Sequence, residues 1–316
     1  MPTTEIRGPL PPAQARFAGY AWMALAYNAT VVLWGAYVRA TGSGAGCGNR
    51  WPLCNGVMTP HSPAVATIIE FTHRAMSAVD LAVVAWLVIW AFRAFPPRSR
   101  VRRGAVLSAV FLITEAILGA ALVLLQHVGK NASINRAYSL STHLINTMTL
   151  LACLALTAWW AGGRAAPRPR GREVWLAAAS LAAFLLLGVS GAIAALGDTL
   201  FPVRTLAEGF AQDANPAASV FLRLRLWHPV LAAVVGLWLG LYGVSCVARR
   251  RDVQLGAGVV MSLVGFQLAA GMLNLVLLAP MWMQLVHLLL ADLLWIALVL
   301  LCAAMLTPPA KKASIR

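Results

Sequence analysis

Four of the chain's six histidines, His73, His143, His228 and His287, fall inside long apolar runs. An ionisable side chain in hydrocarbon is costly and tends to mark function. A single buried histidine is explained by a hydrogen bond to a neighbouring helix. Four at corresponding positions ask for more. Neutral imidazole is an axial ligand of haem iron, and a histidine on each of two helices in a four-helix bundle makes a bis-histidine site. Zinc or copper would need three or four ligands converging closely. Two pairs therefore point to two haems, with His73 paired to His143 and His228 to His287. His61 and His127 fall in loops at the outer boundary and are expected to be solvated, a transient metal or haem contact being the lesser alternative.

The two pairs differ in charge. Glu70 lies three residues before His73, so both project from one helix face; the matching position before His228 is Arg225. One pair thus has a carboxylate beside it and the other a cation. The plain reading of Glu70 is an ion pair with Arg74 one turn on. That of Arg225 is a snorkelling interfacial arginine, against a functional role holding a haem propionate.

The elements that must position these residues are membrane spans. Of 316 residues 60% are hydrophobic and only 11% charged, and mean hydropathy is +0.75. A hydrocarbon core of ~30 Å takes roughly 20 helical residues, and eight apolar blocks are long enough: about 17–38, 64–92, 104–126, 137–161, 174–195, 218–248, 253–278 and 282–306. Even, helix-length blocks exclude a β-barrel. The first block lacks a short apolar region followed by a cleavage site and is expected to be a retained helix. The fold class is all-α integral membrane, with eight helices in two pseudo-symmetric four-helix bundles. Residues 1–16 form a Pro-rich, disordered N-terminal tail, 17–161 the first bundle, 174–306 the second and 307–316 a C-terminal tail.

The repeat shows in spacing rather than identity. Gly35-Ala36 ends the first span and Gly191-Ala192 the fifth, with His73 and His228 following 38 and 37 residues after the glycines. Glu115 to Gly119 in the third span matches Gln267 to Gly271 in the seventh, and His143 and His287 then open the fourth and eighth. Halves entered in the same sense are parallel repeats. At 1.5 Å per residue, His73 and His228 lie roughly 15 Å in, about ten residues, while His143 and His287 lie about five or six residues in.

A net charge of +15 raises nucleic acid as a partner, but its placement excludes that. Seventeen of 25 basic residues sit in the two tails and the even-numbered loops; Arg39, Arg50, Lys130, Arg136, Arg204, Arg223 and Arg225 make seven on the opposite side. By the positive-inside rule both termini are cytoplasmic, and the histidines lie toward the external side. Cys153, Cys246 and Cys302 fall inside spans as small apolar residues. Cys47 and Cys54 share the first external loop, where an oxidising compartment favours a disulfide over a metal site. Asp80 and Asp292 are expected to pair with helix-end arginines, Glu115 to be a proton-relay or packing carboxylate, and Gly119 and Gly271 to permit close helix approach.

The run Val38-Arg39-Ala40-Thr41-Gly42-Ser43-Gly44 with Cys47 and Trp51-Pro52-Leu53-Cys54 resembles the first external loop of haem A synthases (CtaA/Cox15-like). Glu70-Phe71-Thr72-His73-Arg74 is similar to that family's second-span motif, and Gly197-Asp198-Thr199-Leu200-Phe201-Pro202 to its central loop. The resemblance covers about residues 17 to 306. It implies oxidation of the C8 methyl of haem O to a formyl group, giving haem A for terminal oxidase assembly. His73 and His143 would ligate the substrate haem and His228 and His287 a resident haem b, with Glu70 as the catalytic carboxylate and Arg74 and Arg225 as propionate or charge partners. Cys47 and Cys54 match a cysteine pair some members carry; a second pair found in other members is missing from residues 196–217. The implied setting is a bacterial plasma membrane, with membrane lipid around the protein, a haem O synthase as partner and an unnamed electron donor; a homo-oligomer is left open. The main rival is a di-haem cytochrome b that only transfers electrons, for example from quinol, which leaves Glu70 without a task. A transporter built on parallel repeats is the other, and it would place its polar cluster at the midplane.

Overall fold

The computed structural model describes residues 11–61, 64–168, 171–215 and 217–308. Nine α-helices form among them: α1 (Pro12–Ala40), α2 (Val65–Ala94), α3 (Arg100–Leu124), α4 (Ile134–Ala161), α5 (Arg172–Leu200), α6 (Leu206–Ala214), α7 (Val220–Arg249), α8 (Gln254–Val276) and α9 (Met281–Met305). All but α6 are long and apolar enough to cross a membrane. Their outward faces carry large apolar side chains, among them Trp175, Leu186, Val234 and Phe266. Water would not tolerate so much exposed apolar surface, whereas lipid does.

Successive helices α1 to α4 pack in a ring, as do α5, α7, α8 and α9. The rings meet along α1, α4, α5 and α9. Lipid tails offer no hydrophobic drive between helices, so this seam relies on close packing and hydrogen bonds. Leu150, Leu151 and Leu154 of α4 and Leu298 of α9 are fully buried in the resulting core. Across the seam the Trp295 indole N–H donates to the Met148 carbonyl at 2.6 Å, and within the second ring Phe184 stacks on Trp295 with ring centroids 5.3 Å apart.

Several boundaries differ from the expected ones for local reasons. α1 starts at Pro12, where a missing N–H costs nothing at a first helical position. Residues 12–16 are therefore helical rather than tail; residues 1–10 of the expected N-terminal tail and 309–316 of the C-terminal one lie outside the described residues. α4 starts at Ile134, capped by Ser133, which puts His143 ten residues into its helix rather than five or six. α5 continues through Gly197-Asp198-Thr199, so that stretch is the helix's last turn and not loop.

The two aspartates do not pair with arginines. Asp80 Oδ2 accepts from Asn28 Nδ2 at 2.5 Å, and neither oxygen of Asp292 has a hydrogen-bond partner. Both sit too deep in their helices for an arginine at a helix end to reach. At the opposite end from the disulfide, Arg250 donates to the carbonyls of Ala304, Met305 and Thr307, satisfying the open C-terminus of α9.

Helices α3 and α4 pack tightly at Gly104, where an added methyl carbon would lie 2.3 Å from Thr157 Oγ1. Gly104→Ala should destabilise the purified protein by about 1–3 kcal/mol. Adding Thr157→Ala should restore most of that loss in thermal unfolding, because the clash is with the hydroxyl.

Candidate functional site

Each of the four histidines is seated against a glycine of the preceding spanning helix. A Cβ on Gly35 would meet His73 Cε1 at 3.0 Å, on Gly191 His228 Cε1 at 2.9 Å, on Gly271 His287 Cε1 at 3.1 Å and on Gly119 His143 Cε1 at 3.9 Å. Gly271, and more loosely Gly119, therefore makes room for an imidazole rather than for helix backbone alone. The rings are half-buried. His73 and His143 are electrostatic neighbours, as are His228 and His287. The Nδ1 atoms of His73, His143 and His287 are buried without a hydrogen-bond partner, while that of His228 faces Ser190 Oγ at 2.9 Å. Among the described residues no group of three His, Cys, Asp or Glu converges as a directly bound metal would require.

Glu70 is 3% exposed and tied on both oxygens. Oε1 faces Arg74 at 2.5 Å, and Oε2 accepts the Cys47 backbone N–H at 2.8 Å. Arg74 also donates to the carbonyls of Arg50, Pro52 and Leu53. Cys47 and Cys54 form a disulfide and are buried. The i,i+4 ion pair is thus present, and it does more than join two side chains: through it α2 grips the disulfide loop above His73.

The other half is built differently. Arg225 pairs with Asp213 of α6 at 2.7 Å and with Asp198 of α5 at 3.3 Å. Pro229, inside α7, stands four residues beyond Arg225 as Arg74 stands beyond Glu70. The short helix α6 that supplies Asp213 lies in a stretch expected to be loop; its signal is Thr205 with Glu208, a capping box in which Thr205 accepts the Glu208 N–H. The sequence marks Arg39 only as an external cation. It donates to Ala195 O, Thr199 Oγ1 and Gln284 Oε1, tying α1 to α5 and α9. His61 is exposed as expected, whereas His127 is held by Ser139 at 2.7 Å.

The family described as "Cytochrome oxidase assembly protein" (COX15-CtaA) matches residues 18–299. The chain belongs to that family. It is 47% identical over 306 residues, 95% of its length, to a Thermus thermophilus protein named "Protoheme IX farnesyltransferase", of which the match covers 50%. A Staphylococcus saprophyticus "Heme A synthase" is 28% identical over 273 residues, 84% of this chain and 87% of that one. A Staphylococcus epidermidis "Heme A synthase" is 46% identical over 96 residues, 30% of this chain and 32% of that one. The chain spans about half the length of the Thermus relative. The stretch matching the COX15-CtaA family includes all four seated histidines, Glu70, Arg74, Arg225 and the disulfide.

Proposed function

We propose that the chain is a haem A synthase, a membrane oxidoreductase that converts the C8 methyl of haem O to a formyl group. The observation that carries this reading is the asymmetry of the site: two histidine pairs are seated on glycines, and only one has a buried carboxylate, Glu70, a turn away. The glycine seats and the imidazole donors fit haem: His73, His228 and His287 lie where an added Cβ would crowd them, and His143 rests in ordinary contact distance of Gly119. His73 and His143 would hold haem O as substrate; His228 and His287 would hold a resident haem b. Haem supplies the iron redox chemistry when bound.

The residues of the chain would do the rest. The histidines orient each macrocycle, and the apolar helices keep water out. Glu70 stabilises charge or moves a proton beside the reacting methyl. Arg74 and Arg225 serve as charge partners, both already engaged with carboxylates and so able to balance a propionate only by sharing. Two hydroxylations of one methyl, each a two-electron oxidation that draws on O2 and an external electron donor, followed by loss of water, account for a formyl product. The Thermus relative's name supports a haem O-forming farnesyltransferase as the partner that delivers substrate. The charge distribution supports a plasma membrane topology with cytoplasmic termini and external haem sites, and the matching ring contacts support two related bundles.

The second reading, a di-haem cytochrome b that only carries electrons, is favoured by one observation: Glu70 is fully engaged with Arg74 and Cys47. Haem content tests both. Protein from cells that make haem O should carry two haems per chain, one b and one O or A. Two b haems would support the cytochrome instead.

A further inference from the structure

Glu115 of α3 holds its carboxylate toward His143. Asn146 Nδ2 donates to Oε2 and Thr147 Oγ1 to Oε1, each at 2.5 Å. Asn146 is itself fixed by Thr114 Oγ1 at 2.6 Å and by the Phe111 carbonyl at 2.9 Å. The carboxylate so held has Oε1 3.6 Å from His143 Nδ1, an imidazole nitrogen with no hydrogen-bond partner. That gap is a few tenths of an ångström beyond hydrogen-bond length, and such contacts tighten when a site fills.

The corresponding position of the other half carries different chemistry and meets its histidine at the other ring nitrogen, leaving His287 Nδ1 without a partner. Gln267 stands four residues before Gly271 as Glu115 stands four before Gly119, and its Nε2 lies 3.3 Å from His287 Nε2. A carboxylate beside one imidazole is thus replaced by a neutral amide beside the other. An imidazole that binds iron through one nitrogen and donates the other N–H to an anion is a more basic ligand, and it favours the ferric state. A neutral amide gives no comparable push.

We propose that Glu115 is a positioning residue: by accepting the Nδ1–H of His143 it sets that ring's orientation and holds the haem there at a lower reduction potential than the haem on His287. This rests on the haem assignment above. It gives the two sites unequal electron-donating ligands, and the oxidising chemistry falls to the site with both carboxylates, Glu70 and Glu115. Packing alone would need only the hydrogen bonds from Asn146 and Thr147, which a glutamine could largely keep.

The test is an optical redox titration of purified, haem-loaded wild type, Glu115→Gln and Gln267→Glu, with the His143 haem identified by its loss in His143→Ala. Glu115→Gln should shift that haem's ferric-to-ferrous equilibrium about tenfold toward ferrous, 59 mV for a one-electron couple, and leave the other haem unmoved. Gln267→Glu should shift the His287 haem the opposite way. If Glu115→Gln fails to hold its haem, the Gln267→Glu shift decides. Two bound haems whose potentials neither variant moves would overturn the proposal. A wild type that binds no haem would overturn the haem assignment itself, a separate failure.

Discussion

Glu70→Gln protein will keep both haems but lose its product, with conversion of haem O falling by roughly 10²–10⁴, the range for removing a positioned acid–base group. The substitution is nearly isosteric. A glutamine oxygen can still accept the Cys47 N–H that Glu70 Oε2 now accepts at 2.8 Å, so the disulfide loop keeps one of its anchors on α2. What disappears is the negative charge beside His73 and the partner of Arg74. A loop that still folds over a filled site, with haem O accumulating unchanged, would place Glu70 in the chemistry. Chromatography of extracted haems reads the product, and absorbance per protein reads occupancy. Unchanged haem A in the variant would reduce Glu70 to a loop anchor.

Replacing a histidine seat should remove one haem and spare the other. Gly191 leaves no space for side chain: a Cβ would sit 2.9 Å from His228 Cε1 and 3.4 Å from Nε2. A valine there adds two further methyl groups at the same place, so the imidazole must turn away from its position. Gly191→Val should therefore bring the chain from two haems to one and keep the one on His73 and His143. Gly35→Val, crowding His73 from 3.0 Å, should lose that one instead. Pyridine haemochrome assays set against protein concentration read the count, and haem extraction says which kind remains. Loss of both haems from either variant would mean a single shared site.

Much of this was legible in sequence because the membrane enforces simple rules. Eight spans follow from apolar length, since every backbone polar group in lipid must be bonded within its own helix. The histidines stood out because imidazoles are rare in such spans. Helix ends were less legible. Ser133 starts α4 three residues before its apolar block begins, and α6, capped by Thr205, is too short and polar to register as a span. Spacing located the glycines that seat the rings but did not reveal what they seat. That needs the crossing of two helices, and sequence does not give distances between them. The partners of Asp80, Asp292 and Arg225 were out of reach for the same reason, as was Arg39 joining three helices. Glu115 is visible in the sequence as a carboxylate inside a span, yet its place beside His143 depends on the hold of Asn146 and Thr147.

The most direct test of the central claim is conversion of haem O itself. Purified wild-type protein, loaded with haem O and supplied with a reductant and O2, is extracted and its haems separated by chromatography with mass detection. The account predicts that haem O is replaced by its C8-hydroxymethyl and then formyl forms, while haem b is retained. Haem O recovered unchanged, from protein whose haems are bound and undergo reduction and reoxidation, would contradict it and leave an electron-transfer cytochrome.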